Sequence, residues 1–166
     1  MRGAVSFDVR FHRLTRTDIV LLRQLNALFA DVFDDAPSYR RAPPSDDYVE
    51  RVLARDDVIA LAALKDGVVV GGLVAYELPK LERARSEIYI YDLAVAAPCR
   101  RQRIATRLVE QVRDLARARG AWIVFVQADR GDEPAIALYT KLGSREEVLH
   151  FDLPVAGHDR PTSGSS

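Results

Sequence analysis

The chain has 166 residues, enough for one domain with a substantial hydrophobic core. Its 24 basic and 24 acidic side chains cancel, which argues against a general attraction to nucleic acid or to an anionic membrane. Cys99 is the only cysteine, and the 3 histidines show no metal-ligand spacing, so neither a disulfide nor a metal site is expected.

The beginning of the chain gives no sign of an exported or membrane-bound protein. Charged residues interrupt the first 13 positions, so the apolar core of a signal peptide is missing. No later segment has the length of a membrane span. We therefore expect a cytoplasmic protein.

The N-terminal third predicts a strand, a helix, a loop and a second helix. Polar and apolar residues alternate over residues 5–11, the pattern of a strand with one buried face. Thr17 is a suitable N-cap for the helix that follows, where apolar residues recur at helical spacing as far as residue 32. Residues 36–44 include 3 prolines and are predicted to be irregular, whereas Ser45 can cap a shorter helix.

The middle of the chain predicts a β-hairpin followed by a long strand. Residues 58–64 and 68–76 are β-rich, and the Asp-Gly pair at Asp66 and Gly67 suits the positive φ angles of a tight turn. Residues 87–95 form a further strand candidate. The three strands are expected to pair in one sheet.

The C-terminal part predicts two helices and two strands. A helix over residues 104–119 ends at Gly120, and residues 122–127 read as a buried strand. Pro134 suits the start of a second helix, Gly143 suits a left-handed C-terminal position, and residues 147–153 resemble a last strand. The tail, residues 157–166, is predicted to be disordered.

This order of elements predicts an α/β (α+β) fold, with a mixed sheet and helices on both faces. No repeat or internal boundary interrupts it, so residues 1–156 are predicted to form a single domain.

The turn between residues 95 and 106 has the character of an anion-binding site. Backbone N–H groups in the first turn of a helix are unpaired and point outward, and the helix dipole adds positive charge. Three arginines, at positions 100, 101 and 103, reinforce this charge. The alternative is an ordinary strand-to-helix turn with solvated arginines.

The run from Arg100 to Ala105, Arg-Arg-Gln-Arg-Ile-Ala, resembles the pyrophosphate-binding signature Gln/Arg-x-x-Gly-x-Gly/Ala of the GNAT acetyltransferases. Arg103 stands where that signature has glycine, which a helical φ at this position would allow. A second stretch, residues 132–143, resembles the other GNAT signature, Asn-x-x-Ala-x-x-x-Tyr-x-x-x-Gly, with Asp132 in place of Asn. Both signatures occur in the order and separation of that family.

Within the family, three runs resemble the type I aminoglycoside 3-N-acetyltransferases. They are residues 86–95, 126–129 and 137–143, and the likeness extends from the first helix to about residue 152. The resemblance implies a mostly antiparallel GNAT sheet splayed between strands 4 and 5. It also implies acetyl-CoA as cofactor and a cationic aminoglycoside as substrate, and it leaves the oligomeric state open, with a homodimer as one option.

The resemblance also assigns cofactor-binding residues. Leu93 and Val95 would contribute backbone contacts to the thioester, with Ala94 between them. The turn would hold the pyrophosphate, and Tyr139 would protonate the departing thiolate of CoA. The residues of that turn are Arg100, Arg101, Gln102, Arg103, Ile104, Ala105 and Thr106.

Asp92 is unusual on physical grounds alone. Ile88 and Ile90 share one face of the predicted strand, and the next residue of that set is a carboxylate, so either a bulge turns it outward or it lines a cleft. The resemblance makes Asp92 the general base. The alternative is a carboxylate at a strand end.

Acidic residues close to the predicted site suit a substrate with several amines. Asp129, Asp132 and Glu133 crowd one loop, and Asp35 and Asp152 are weaker candidates. Tyr91 and Asp92 complete the candidate substrate-binding residues. For each acidic residue the alternative is a solvated surface charge.

Two other functions remain open from the sequence. The acceptor of the acetyl group could be a polyamine, a peptide N-terminus or another small amine, since a pyrophosphate site is silent about the acceptor. The chain could also bind CoA without turnover, because a fold does not prove activity.

Overall fold

A computed structural model describes residues 8–155 of the chain. The contacts divide the chain into two compact units, Met1–Gln127 and Ala128–Ser166, and each is described by itself. Residues 5–7 of the predicted first strand and the predicted disordered tail lie outside the described residues. The single domain predicted for residues 1–156 stays a prediction.

The first unit holds a five-stranded sheet with the strands in chain order. The strands are β1 (Arg10–Arg13), β2 (Val58–Lys65), β3 (Val68–Pro79), β4 (Ser86–Val95) and β5 (Ile123–Val126). The helices of this unit are α1 (Ile19–Val32), α2 (Ala36–Arg40), α3 (Asp46–Leu53) and α4 (Ile104–Arg119), with a short 3-10 turn at Ala97–Cys99. The second unit contains α5 (Glu133–Leu142).

All neighbouring strands pair antiparallel except β4 and β5, which are parallel. A parallel pair needs a crossover connection, and α4 supplies it between these two strands. The mixed, mostly antiparallel α/β sheet predicted from the sequence is therefore confirmed.

Two consecutive glycines in β3 show that α1 and α4 lie on opposite faces of the sheet. A Cβ atom at Gly71 would meet Ile104 of α4 at 3.0 Å, and one at Gly72 would meet Leu25 of α1 at 2.2 Å. Because successive residues of a strand face opposite sides, the two helices cover different faces. Each glycine lets a helix side chain approach the sheet closely.

The α1 face carries a compact hydrophobic core. Leu25 and Phe29 of α1 are fully buried, and they pack with Val49 of α3 and with alternate residues of β2. Burial of each such side chain contributes on the order of 1.5–3 kcal/mol. The position of α1 relative to the sheet is therefore well determined.

The hairpin and two of the helices form as the sequence predicts. Asp66 and Gly67 have φ angles of 51° and 79°, which a tight two-residue turn requires. The side chain of Ser45 accepts a hydrogen bond from the Tyr48 backbone N–H at the start of α3. Gly120 ends α4 in the left-handed conformation, with φ of 74°.

The structure corrects several boundaries in the first unit. β1 begins at Arg10, and α1 is preceded by Asp18 rather than by Thr17. The Asp18 side chain does not cap the helix, because its carboxylate accepts hydrogen bonds from the N–H and hydroxyl groups of Thr15 instead. Residues 36–40, predicted to be irregular, form the helix α2, since Asp35 caps it and a proline in the first turn costs it nothing.

Three C-terminal predictions also need correction. The buried strand predicted for residues 122–127 is shorter, covering residues 123–126, and it is only half-buried because it lies at the edge of the sheet. Gly143 is extended, with φ of −160°, and does not adopt a left-handed conformation. Residues 147–153 form no strand, because no described strand pairs with them, and an isolated extended segment is not stable alone.

Candidate active site

A β-bulge in β4 places Asp92. Ile90 lies opposite Ala75 of β3 and Asp92 lies opposite Val74, so Tyr91 is an extra residue in the ladder. The extra residue moves Asp92 to the face opposite Ile88 and Ile90. Of the two explanations that the sequence leaves open, the bulge is therefore present, and it accounts for a carboxylate in an apolar set.

Beyond the bulge, β4 loses its parallel neighbour. The pairing with β5 covers residues 87–90 only, whereas β4 continues to Val95. The backbone N–H of Ala96 points toward β3, since it donates to the Val70 carbonyl at 2.8 Å. In an antiparallel ladder, every second residue of a strand bonds to the partner strand, and the residues between them point the other way. It follows that the backbone groups of Leu93 and Val95 point away from β3. No strand in residues 8–155 pairs with them on that side.

The carboxylate of Asp92 is half-buried and has one hydrogen-bond donor. The hydroxyl of Tyr39, in α2, donates to its Oδ1 atom at 3.1 Å. Burial raises the pKa of Asp92, and the hydrogen bond from Tyr39 opposes that increase. A carboxylate with a raised pKa is a better proton acceptor than an exposed one.

A row of tyrosines lies on the same face of the sheet as Asp92. Tyr76 of β3 pairs with Tyr89 of β4, and the rings of Tyr76 and Tyr91 are 6.0 Å apart in a T-shaped contact. Tyr89 also stacks on Phe125 of β5 at 4.8 Å. Tyr91 keeps 63% of its surface exposed, so its ring is available to a ligand.

The turn before α4 contains two left-handed residues, Arg101 and Arg103. Arg100 has a φ of −65°, Arg101 has 61° and Arg103 has 60°, whereas Gln102 has no positive φ. Arg100 itself is extended, with a ψ of 161°, and turn conformations of this kind can bring successive N–H groups together as an anion-binding site. All three arginine side chains are exposed, and they add positive charge around it.

The φ of 60° at Arg103 contradicts the sequence-based expectation of a helical angle there. Arg103 is the N-cap of α4 and adopts the left-handed conformation. Glycine adopts this conformation without steric cost, whereas a residue with a Cβ atom pays for it. The backbone geometry is thus the one that glycine favours, although an arginine occupies it.

The amides of this turn are free to bind a ligand. Within the described part of the chain, the N–H groups of residues 101–106 donate to no protein acceptor. Six unpaired donors and three exposed arginines fit a group with several anionic oxygens, such as a pyrophosphate. The donor set expected from the sequence is therefore present in one turn.

Tyr139 lies in α5 of the second unit and is half-buried. Burial, with a smaller effect from Asp132, raises the pKa of its hydroxyl to about 12. The hydroxyl therefore keeps its proton at neutral pH.

The acidic residues named from the sequence have different local roles. Asp132 caps α5, because its side chain accepts from the Ala135 N–H at 3.1 Å, and Asp35 caps α2 in the same way. Asp129 and Glu133 are exposed, and Asp152 contacts His150 at 3.0 Å. Their part in substrate binding stays a prediction.

Sequence reasoning missed Tyr39, although it contacts the predicted general base. The prolines predict an irregular segment here, whereas Asp35 as N-cap and Pro37 in the first turn are features of a helix start. Tyr76 was missed because a hairpin strand gave no reason to examine its exposed face. The alternation of tyrosines at positions 89 and 91 could have drawn attention to that face.

Among the described residues, no group of three or more His, Cys, Asp or Glu side chains could hold a metal ion. No helix within residues 8–155 combines the length and apolar character that crossing a membrane requires.

Comparison with solved structures shows similarity to aminoglycoside acetyltransferases. One such enzyme, from an uncultured soil metagenomic sample, is 53% identical, with a TM-score of 0.88 over 90% of this chain and 99% of that chain. A second, also from an uncultured soil metagenomic sample and solved with sisomicin, is 29% identical, with a TM-score of 0.82 over 89% of this chain and 96% of that chain. A structure of it with trehalose gives 28% identity, with a TM-score of 0.84 over 92% of this chain and 99% of that chain.

A curated relative is similar over a shorter stretch. The probable N-acetyltransferase camello of Xenopus laevis is 36% identical over 69 residues, which are 42% of this chain and 32% of that protein. The chain thus spans about a third of the length of this relative.

The sequence pattern of the acetyltransferase (GNAT) family matches residues 25–144, a stretch that contains the bulge, the anion-binding turn and Tyr139. The chain therefore belongs to the GNAT family of acetyltransferases.

Proposed function

We propose that this chain transfers the acetyl group of acetyl-CoA to an aminoglycoside, and that the 3-amino group is the acceptor. The observation that carries the proposal is the 53% identity, over 90% of the chain, to an aminoglycoside acetyltransferase. Acetylation removes a cationic amine from the antibiotic, so the expected consequence is resistance. A cytoplasmic location is expected with it.

Acetyl-CoA supplies a thioester whose carbonyl carbon the amine nitrogen attacks, so a C–N bond forms and a C–S bond breaks. We assign the proton of the attacking amine to the carboxylate of Asp92, directly or through water. The backbone N–H groups of Leu93 and Val95 point away from β3 and are the candidate donors to the carbonyl oxygen. Tyr139 is the candidate donor of a proton to the departing sulfur.

The tyrosine row beside Asp92 suits a sugar that carries ammonium groups. Aromatic faces attract cations and pack against the apolar faces of sugar rings, and Tyr91 is exposed enough to do both. A relative at 28–29% identity has been solved with sisomicin and with trehalose. We propose that Tyr91 contacts the acceptor, with the acidic residues of the loop before α5 adding charge attraction.

A substrate panel tests the proposal. Purified protein is assayed for release of free thiol from acetyl-CoA with a gentamicin-type aminoglycoside, a kanamycin-type aminoglycoside, spermidine and a short peptide. We expect turnover with the aminoglycosides, and NMR of the product should show the acetyl group on the 3-amine. Turnover only with spermidine or the peptide would refute the aminoglycoside proposal and identify a polyamine or a peptide as the acceptor of the acetyl group. Tight CoA binding without turnover would support a binding protein.

Asp92→Asn tests the general base. Loss of a general base costs typically 10²–10⁴-fold in rate, and kcat should fall by that order. Asp114→Asn is the matched control, because Asp114 is an exposed carboxylate of α4 that pairs only with Arg117. The parent rate should rise with pH as Asp92 loses its proton, and because burial raises its pKa, this rise should lie above the ordinary range of an aspartate. An Asn variant with the parent rate and pH profile would remove Asp92 from the mechanism.

A further inference from the structure

Tyr39 is 53 positions away from Asp92 in the chain, yet it is the residue that bonds to this carboxylate. We propose that Tyr39 is a positioning residue, which orients the Asp92 carboxylate and keeps it in its charged, proton-accepting form. The inference rests on the proposed function only in naming Asp92 as the general base. The contact itself is independent of that role.

The Tyr39 ring is held by the hydrophobic core. Its centroid lies 5.9 Å from that of Phe29 and 6.3 Å from that of Phe33, and these two phenylalanines stack on each other at 5.4 Å. Phe29 is fully buried in the α1 core. A side chain locked by such packing delivers its hydroxyl to a fixed point, which is what a positioning role requires.

The short helix that carries Tyr39 is itself tied at both ends. Asp35 caps it through a hydrogen bond from the Ser38 N–H at 3.2 Å. At the other end, Arg40 forms an ion pair with Asp31 of α1. An isolated five-residue helix is unstable in water, so these ties and the aromatic packing hold α2 in place.

The surroundings of Asp92 contain other hydroxyls but no second donor to the carboxylate among the described residues. Tyr76 of β3 and Tyr89 of β4 are close enough for the charge of Asp92 to contribute to their raised pKa values, which arise mainly from burial. Tyr91 lies beside both rings. Within residues 8–155, no lysine, arginine or histidine contributes to the pKa of Asp92.

The direction of the effect follows from these contacts. A hydrogen bond to a carboxylate favours its charged form and lowers its pKa, whereas burial raises it. Replacing Tyr39 by phenylalanine keeps the ring and removes only the donor. Burial then acts unopposed, the pKa of Asp92 rises, and at acidic pH a smaller fraction of the protein carries the carboxylate.

Two measurements on Tyr39→Phe test the inference. The first is an NMR titration of the Asp92 carboxyl carbon in protein labelled with ¹³C-aspartate, which needs no substrate and no turnover. We expect the titration midpoint to move to higher pH in Tyr39→Phe and to stay in place in Tyr48→Phe. Tyr48 is a suitable control because it is exposed and lies on α3.

The second measurement is the pH profile of kcat/KM for the acceptor. A hydrogen bond to a charged group is strong enough that its loss should lower kcat/KM about tenfold at the acidic end of the profile. The plateau at higher pH, where Asp92 is charged in both proteins, should change little. A uniform loss at all pH values would mean a purely structural role and would overturn the inference. So would an unchanged NMR midpoint. If the NMR midpoint moves but the parent protein acetylates no amine, the proposed function fails and the positioning contact stands.

Discussion

Arg103→Gly is the substitution that most directly tests the geometry of the anion-binding turn. Arg103 has a φ of 60° at the N-cap of α4. Its side chain is exposed and forms no hydrogen bond or ion pair within the described residues. The change to glycine therefore removes a Cβ atom and an exposed charge without breaking a described contact.

The expected effect on stability is a small gain. The left-handed conformation costs a residue with a Cβ atom roughly 1–2 kcal/mol, and glycine avoids this cost. Glycine also gives the unfolded chain more freedom, which reduces the gain by about 0.5–1 kcal/mol. The net increase in the free energy of unfolding should be about 0.5–1 kcal/mol. For a chain of this size that corresponds to an increase in Tm of about 1–4 °C.

Arg103→Ala is the matched control, because it removes the same charge but keeps the Cβ atom and the strain. Thermal unfolding of both variants and calorimetric titration with CoA give stability and affinity separately. We expect Arg103→Gly to be more stable than Arg103→Ala, and both to keep CoA affinity within about threefold of the parent, because backbone amides supply most of the binding. Equal stability of the two variants would refute the strain argument. A large, equal loss of affinity in both would show that the arginine side chain binds the phosphates.

Four further predictions test other parts of the structure. Ala105→Pro removes one outward N–H group from the first turn of α4, a position where a helix tolerates proline. Calorimetry should therefore show a loss of CoA affinity of about tenfold, with little loss of helix content. An unchanged affinity would mean that the Ala105 amide does not bind CoA. Gly72→Ala forces a Cβ atom against the Leu25 side chain and to 2.7 Å from the Leu61 backbone carbonyl oxygen, so chemical denaturation should show a loss of about 1–3 kcal/mol. A stable variant would mean that both the Leu25 side chain and the backbone of β2 can move. Tyr139→Phe should reduce kcat by about 10²-fold and change KM for acetyl-CoA little, and an unchanged kcat would make water the proton donor. The double change of Asp129 and Asp132 to asparagine keeps the cap of α5, because asparagine is also a good N-cap residue. It removes two negative charges, so the KM for the acceptor should rise and depend less on salt. A KM equal to that of the parent would mean that the loop is only a solvated surface.

The fold could be predicted largely because its elements carry local signals. The hairpin follows from the conformational needs of Asp66 and Gly67, and α4 follows from helical periodicity ended by Gly120. These signals lie within a few residues of the structure they specify. The predicted last strand, residues 147–153, was wrong because a β-like sequence describes only one partner of a pair. A strand also needs a neighbour, which a local pattern does not supply.

The site was predicted in part for the same reason. Asp92 could be singled out because a carboxylate breaks an apolar alternation, and the bulge that explains it is a local device. Tyr39 could not, because its contact with Asp92 depends on how α1 and α2 pack across the sheet. The φ of Arg103 was predicted wrongly, since the glycine of the family signature at this position indicates a left-handed backbone and the arginine in its place does not.

One extra residue in β4 accounts for much of the geometry around Asp92. In a regular strand, Asp92 would follow Ile88 and Ile90 onto the face that α4 covers, where a carboxylate would lose its hydration without compensation. The bulge at Tyr91 transfers it to the α1 face, where the Tyr39 hydroxyl meets it. Pairing with β5 ends at the same point, which frees the backbone groups that follow. A substitution that restored regular pairing would therefore separate the Asp92 carboxylate from the Tyr39 hydroxyl, and this links the irregularity of the strand to the role proposed for Asp92.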